Sequence, residues 1–206
     1  MGLWLAAPPL VLASRSASRR AVLAGAGIPV EVLPADVDER AIETQASLQS
    51  PSQPPSQIAL LLARAKAGAI SAKLPERLVL GADQTLALGQ RLFAKPADLA
   101  AASHQLKSLR GRTHELHSAV VVARHGAVLF AHCEIARLTM RSFSDRFLAA
   151  YIEAAGSAVT ASVGAYQVEG IGIQLFERIE GDHFTILGLP LLRLLQFLRQ
   201  HGCLAD

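Results

Sequence analysis

Cysteine is scarce in this chain. Cys133 and Cys203 are its only two cysteines, and they lie far apart without the short spacing of a metal site. A disulfide-rich secreted scaffold and a cysteine-based zinc site are therefore excluded. Free thiols in a reducing compartment are the simplest interpretation, so we expect a cytoplasmic protein.

Aromatic residues and unbalanced charge are also scarce. Aromatic residues make up 5% of the chain, and 20 basic against 17 acidic residues give a net charge of only +3. A surface that binds nucleic acid needs a basic face, interleaved with aromatic side chains where single strands are bound. We therefore expect no nucleic-acid partner.

Long hydrophobic runs are missing as well. No stretch approaches the ~18–20 uninterrupted apolar residues of a membrane span, so no membrane partner is expected. The apolar start, MGLWLAAPPLVLAS, is similar to a secretion signal, but no basic residue precedes Arg15 and Pro8-Pro9 interrupts it. We expect a flexible tip that leads into a first strand, with secretion as the alternative.

The chain does contain the material for a large core. It has 206 residues, of which 51% are hydrophobic and 18% charged, which suits one large domain or two closely joined lobes. Strands that alternate with helices predict an α/β protein, and a hairpin at His125-Gly126 makes the sheet mixed. The segments expected to be strands are 10–14, 30–33, 78–80, 114–124, 127–140 and a strand pair within 173–187. Helices are expected within 16–27, 57–74, 97–109, 144–155 and 189–202, and 47–57 is expected to be a loop.

A carboxylate follows the apolar run Leu78–Leu80. The strand is expected to end there, and the small pair Gly81-Ala82 would let a ligand approach the backbone closely. Asp83 comes next. At this place it either caps the following turn or performs chemistry, and the local sequence leaves both open.

A second candidate is the segment SRSASRR at positions 14–20, between a predicted strand and a predicted helix. Backbone N–H groups, hydroxyls and guanidinium groups at a helix N-terminus are the components of an anion site. Because cations are unfavourable at the positive end of a helix, Arg19 and Arg20 there call for an anion. The alternative is a capped helix with solvated arginines.

Two lysines and a group of carboxylates complete the candidates. Lys66 lies on an otherwise apolar helix face, where an ammonium group without a partner is costly, and Lys95 precedes a proline that stiffens the backbone. Hard divalent ions prefer one or two carboxylates together with substrate phosphates. The carboxylates that could serve are Asp36, Asp38, Glu39 and Asp83, although a solvated acidic turn is the simpler interpretation of 36–39.

Several other chemistries lack their motif. Ser14 and Ser16 do not lie in G-x-S-x-G, and neither a P-loop nor a G-x-G-x-x-G turn is present. His114 and His117 are three apart, so a strand would point them to opposite faces, and no third zinc ligand stands near them.

The candidate residues lie within short blocks in chain order: LASRSASRR (12–20), VDE (37–39), KA (66–67), GAD (81–83), AKP (94–96), LRGRTH (109–114), GAYQVEG (164–170) and GLPL (188–191). Together these blocks resemble the Maf family of nucleoside triphosphate pyrophosphatases. The family pattern has proline at the position of Ala17 and glycine at that of Ala94. The resemblance spans nearly the whole chain and implies a single pyrophosphatase domain over 1–206.

The resemblance implies hydrolysis of a nucleoside triphosphate to a monophosphate and pyrophosphate with a divalent metal, Mg²⁺ or Mn²⁺. It implies an inosine triphosphatase-like fold with two lobes around a cleft, and a homodimer. Asp83 matches the proton acceptor that activates water, and Glu39 with Asp83 matches the metal site. The positions that match phosphate contacts are Ser14, Arg19, Lys66 and Lys95.

Three positions bear on the base. Gln84 and Glu169 resemble the branch that cleaves 7-methyl-GTP, whereas the branch that prefers dTTP or UTP has Thr and Gln there. Ser18 stands where the branches carry Arg or Trp, which removes a stacking surface for a cationic purine. We expect a pyrophosphatase for a guanine-type base, with a dTTP/UTP enzyme and a non-enzymatic cell-division regulator as alternatives.

Overall fold

The structure is a computed structural model and describes residues 2–49 and 53–205. Its strands are β1 (Leu10–Leu12), β2 (Val30–Val32), β3 (Val79–Leu88), β4 (Arg91–Phe93), β5 (Thr113–Arg124), β6 (Ala127–Met140) and β7 (Phe176–Glu180). Its α-helices are α1 (Ala17–Gly25), α2 (Glu39–Gln49), α3 (Pro55–Lys73), α4 (Leu99–Leu109), α5 (Asp145–Ala155), α6 (Ala158–Ala161), α7 (His183–Ile186) and α8 (Leu191–Gln200). Short 3₁₀ turns cover Val163–Ala165 and Ile171–Leu175.

The strands form one mixed sheet, as predicted. Its order is β2-β1-β3-β5-β6-β7, and β4 pairs with β3. Strand β1 is parallel to both β2 and β3, while the β3–β4 and β6–β7 pairs are antiparallel. The β5–β6 hairpin turns at His125 and Gly126, whose φ angles of 52° and 72° match the positive φ that tight hairpins require.

The chain divides into two compact units, in agreement with the expected two lobes. The first unit comprises Met1–Gln84, Ser118–Glu134 and Asp182–Asp206. The second comprises Thr85–His117 and Ile135–Gly181.

In the first unit, side chains alternate between the two faces of the strands. Leu10 and Leu12 of β1 pack with Leu23 of α1 and Phe197 of α8. Val11, between them, packs with Ile70 of α3 instead. Because helices cover both faces, β1 is buried on both sides and is apolar throughout.

Strand β3 extends beyond the predicted end at Leu80 and runs to Leu88, so the expectation of a strand end before Asp83 was wrong. Gly81 is there because α3 packs directly on the backbone: a Cβ at this position would lie 2.7 Å from the Ala67 nitrogen. Gly81 and Asp83 share a strand face, so Asp83 also points toward α3. Asp83 therefore lies within a strand and does not cap a turn.

Three further expectations were wrong, that of the loop at 47–57 in part. Glu39 does not lie in an acidic turn, because α2 begins at this residue and the Asp38 side chain accepts from the Ala41 N–H at 3.0 Å. This helix also takes up positions 47–49 of the expected loop, and α3 takes up positions 55–57. Positions 50–52 lie outside the described residues. The expected strand pair within 173–187 is instead a 3₁₀ turn, the single strand β7 and the short helix α7.

Among residues 2–49 and 53–205, no helix combines the length and the apolarity required to cross a bilayer.

A buried histidine anchors the second unit. The His114 ring is fully buried, and its Nε2 shares a hydrogen bond of 2.7 Å with the Tyr166 hydroxyl. Tyr166 in turn stacks edge-on against Phe176. Burial lowers the pKa of His114 to about 4, because the apolar surroundings disfavour the charged ring.

We predict that His114 makes the fold acid-sensitive. The pKa in the unfolded chain is ~6.5, so the stability that neutral His114 contributes is complete above that pH and is lost as the pH falls toward 4. When the pH is lowered from 7 to 4.5, the unfolding free energy of both proteins falls. The fall should be about 2–3 kcal/mol smaller in His114→Gln than in the unchanged protein. Urea unfolding at both pH values measures this difference. Equal losses in both proteins would contradict the role of His114.

Candidate functional site

The centre of the site is the ammonium group of Lys66 on α3. Its Nζ lies 2.5 Å from Oδ1 of Asp83 and 2.8 Å from Oε1 of Glu39. The side chains of Lys66 and Asp83 are 11% and 9% exposed, whereas that of Glu39 is 51% exposed. The lysine on the apolar helix face is thus buried with two anionic partners, one from β3 and one from the start of α2.

The electrostatics of Asp83 follow from this burial. Loss of hydration raises its pKa, while the charges of Lys66 and Arg19 act in the opposite direction. Burial prevails, so the pKa of Asp83 stands above its ordinary value. A carboxylate of this kind is a stronger base than a solvated one and suits general base catalysis.

Sequence reasoning missed a further carboxylate beside this pair. Glu43 lies one helical turn after Glu39 on α2, and burial raises its pKa, with additional rises from the charges of Asp83 and Glu39. The i, i+4 spacing of the two glutamates could have indicated a shared face only if α2 had been expected.

The arginine segment is capped and partly committed to the fold. Ser16 caps α1, and its hydroxyl accepts from the Arg19 N–H at 3.3 Å. The Arg19 guanidinium is buried, and its Nη1 donates to the Ser14 hydroxyl at 3.1 Å and to the Ala82 carbonyl at 2.8 Å. Arg20 is exposed, so the alternative of a solvated arginine holds for that residue.

Ser18 and Gln84, the two candidates for base selection in the first unit, also form hydrogen bonds within the protein. The Ser18 hydroxyl donates to the Leu187 carbonyl at 3.3 Å. The amide nitrogen of Gln84 donates to the Ser118 hydroxyl at 2.8 Å and to carbonyls of α7. Sequence reasoning missed Ser118, because a serine within an apolar strand carries no distinctive signal.

The remaining two candidates belong to the second unit. Lys95 is exposed on the segment between β4 and α4, where the neighbouring Ala94 carbonyl accepts from the Gln105 amide at 2.7 Å. Glu169 is exposed on a turn that a hydrogen bond from the Gly170 N–H to the Gln167 carbonyl closes at 3.2 Å. In the first unit the structure thus brings five candidates together: Glu39 and Asp83 contact Lys66, while Arg19 contacts Ser14 and lies close enough to affect the pKa of Asp83.

The carboxylates fit a metal only in part. Within the described residues, no group of three or more His, Cys, Asp or Glu side chains is placed to hold a metal ion. Glu39 and Asp83 both contact Lys66 instead. Two hard oxygen donors still match Mg²⁺, which commonly takes its other ligands from water and substrate phosphates.

Comparison with known proteins places the chain in a family. The family model described as "Maf-like protein" matches residues 9–201. A nucleoside triphosphate pyrophosphatase of Rhodopseudomonas palustris is 58% identical over 205 residues, and one of Bradyrhizobium diazoefficiens is 57% identical over the same length, each with 100% of both chains covered. A 7-methyl-GTP pyrophosphatase of Rhizobium etli is 51% identical over 195 residues, with 95% of this chain and 97% of that protein covered.

The family model covers residues 9–201, and these relatives share more than half of their residues with this chain over its full length. The chain belongs to the family of Maf-like proteins.

Proposed function

We propose that this protein hydrolyses nucleoside triphosphates to a monophosphate and pyrophosphate, with Asp83 as the proton acceptor. The observation that carries the proposal is the buried pair of Asp83 and Lys66, with their charged atoms 2.5 Å apart and Arg19 close enough to affect the pKa of Asp83. The relatives in Rhodopseudomonas and Bradyrhizobium, which bear the name of this activity, support it.

In the reaction we propose, a water oxygen bonds to the α-phosphorus while the bond to the leaving pyrophosphate breaks. The water proton passes to Asp83. Since Oδ1 of Asp83 already accepts from Lys66, we assign the proton to Oδ2. A raised pKa strengthens Asp83 as a base, while the charges of Lys66 and Arg19 keep a useful fraction of it ionised.

Cationic side chains would stabilise the charge that develops on the leaving group. Lys66 can exchange one carboxylate for a phosphate oxygen, because it already lies between two anionic partners. Arg19 has two further N–H donors on Nη2, and its other groups hold it in place. We assign Ser14 and Lys95 to phosphate contacts as well, from the resemblance of their sequence blocks.

A divalent ion, Mg²⁺ or Mn²⁺, is part of the proposal. Glu39 and Asp83 would hold it together with substrate phosphates, and bound there it would neutralise phosphate charge. Glu39 suits this task because its carboxylate is half exposed and therefore accessible.

We further propose a preference for a guanine-type base such as 7-methyl-GTP. Guanine presents two donors on its Watson–Crick edge, and a carboxylate such as Glu169 accepts from both. Uracil presents one N–H between two carbonyls, which a carboxylate would repel. The relative in Rhizobium etli that is named for 7-methyl-GTP supports this preference.

The role of Asp83 is testable through pH. Asp83→Asn should lower kcat by roughly 10²–10⁴-fold without loss of the fold. Because the base must be ionised, kcat/KM of the unchanged enzyme should rise with pH through the pKa of Asp83, at a midpoint above the ~3.9 of an ordinary aspartate. Lys66→Gln should move this midpoint further up, since the lysine charge lowers the pKa of Asp83.

The matched control is Glu153→Gln, an exposed position on α5. It should leave both kcat and the pH profile unchanged. Near-native turnover of folded Asp83→Asn, verified by circular dichroism, would remove Asp83 from the mechanism.

Metal dependence is the next test. EDTA should abolish turnover and Mg²⁺ or Mn²⁺ should restore it, because the proposed reaction needs a cation on the phosphates. Glu39→Gln should raise the metal concentration that gives half-maximal activity, whereas Glu153→Gln should not. Full turnover in excess chelator would refute the metal part of the proposal.

The base preference can be tested at Glu169. Glu169→Gln should lower kcat/KM for 7-methyl-GTP and GTP by about 5–150-fold relative to UTP and dTTP, which corresponds to the ~1–3 kcal/mol of a bidentate base contact. Glu177→Gln, at an exposed position on β7, is the control. If the order of preference over this panel stays the same, Glu169 does not select the base.

A further inference from the structure

A row of backbone carbonyls lies beside the residues of the first unit that the sequence singled out. We call the segment Thr185–Gly188 the carbonyl turn, because each of its four carbonyls accepts a hydrogen bond from a side chain of another element. The bonds are Ser118 Oγ to Thr185 at 2.7 Å, Gln84 Nε2 to Thr185 at 3.2 Å and to Ile186 at 3.1 Å, Ser18 Oγ to Leu187 at 3.3 Å, and Arg19 Nε to Gly188 at 2.8 Å.

The shape of the carbonyl turn explains why it needs these donors. Helix α7 has only four residues, and the last carbonyls of any helix have no partner within the helix. The buried Thr185 carbonyl accepts one backbone hydrogen bond, from the Gly188 N–H at 3.0 Å, and its second lone pair faces side chains. Side chains from α1, β3 and β5 supply the remaining donors to the turn.

Gly188 brings the turn against two of these side chains. Its φ of +87° is one that side-chain-bearing residues rarely adopt. A Cβ at this position would lie 3.4 Å from both Nε and Nη2 of Arg19 and 3.7 Å from Cδ of Gln84. The turn therefore lies between the arginine and the glutamine and contacts both.

The bonds of Gln84 also determine which way its amide faces. Carbonyl oxygens accept only, so the side of the amide that faces Thr185 and Ile186 must be its nitrogen. Leucine, methionine or glutamate at position 84 would offer those two carbonyls no donor, and threonine is two heavy atoms shorter along the chain.

We propose that Gln84 and Ser118 are positioning residues that act through the carbonyl turn to place Arg19 for phosphate binding. Gln84 and Ser118 hold the start of the turn, and Gly188 at its end holds Nε of Arg19. A change at the position that bears on base preference therefore also changes phosphate binding. This inference rests on the proposed function insofar as the anion is the pyrophosphate part of the substrate.

Pyrophosphate is the probe that separates the two effects, because it has phosphates but no base. Its Kd is measured by isothermal titration calorimetry with Mg²⁺ present. Gln84→Met should raise this Kd by about 5–30-fold, and Ser118→Ala should raise it in the same direction by less. In a protein that already carries Arg19→Lys, Gln84→Met should have less than a twofold effect, because the guanidinium that it positions is gone.

Ser71→Ala provides the matched control. Ser71 is a fully buried serine of the first unit that accepts a hydrogen bond from the Gly126 N–H at 3.1 Å. Its loss should lower Tm about as much as Ser118→Ala does and leave the Kd for pyrophosphate unchanged. A purely structural role of Ser118 would make the two serine variants alike in both measurements.

The inference is overturned if Gln84→Met changes the order of nucleotide preference while its Kd for pyrophosphate stays within twofold of the unchanged protein. It is also overturned if the fold-changes in the Kd for pyrophosphate caused by Gln84→Met and by Arg19→Lys multiply in the double variant. Since this experiment measures binding, its outcome is distinct from that of the proposed hydrolysis. If the protein turns over substrate but Gln84→Met acts independently of Arg19, only this inference is refuted. If the effect of Gln84→Met depends on Arg19 but the protein shows no turnover, only the hydrolysis is refuted.

Discussion

The burial of one ammonium group, that of Lys66, is the constraint on which the rest of the first unit depends. A charge removed from water is tolerated only beside an opposite charge, and loss of one partner of a buried pair costs about 3–5 kcal/mol. Asp83 therefore has to lie where Lys66 reaches it, 2.5 Å away. Gly81 makes this contact possible. It lies two residues before Asp83 on the same face of β3, and its lack of a side chain lets α3 pack directly on the strand backbone.

Local patterns predicted those elements whose signals are local. Helices α1 and α3 and the hairpin at His125-Gly126 lie close to where the sequence placed them. Helix α2 was not foreseen, because its stability comes from packing and not from its composition. Ile42 and Ala46 of that helix pack against Ile58 and Leu62 of α3. These partners lie outside the local sequence around Glu39, so a local pattern could not predict the helix.

The site shows the same division. The sequence indicated Lys66 and Asp83 separately, from an apolar helix face and from a carboxylate after a strand, and their ion pair joins positions 17 residues apart. It did not indicate the partners of Arg19, because two of them are the backbone carbonyls of Ala82 and Gly188. Because every residue carries a backbone carbonyl, such an acceptor cannot be predicted from the residue type. Only the folded structure identifies it.

Asp83 is subject to two opposed demands, and their balance connects the fold with the proposed chemistry. Burial favours its neutral form, whereas Lys66 and Arg19 favour its charged form. A base needs both: enough burial to bind a proton firmly, and enough positive charge nearby to remain ionised before the reaction. A triphosphate would change this balance, because its oxygens compete with Asp83 for the same cations. As Lys66 and Arg19 turn part of their charge toward the phosphates, the pKa of Asp83 should rise, so that substrate binding itself would strengthen the base at the moment when a proton must be taken from water.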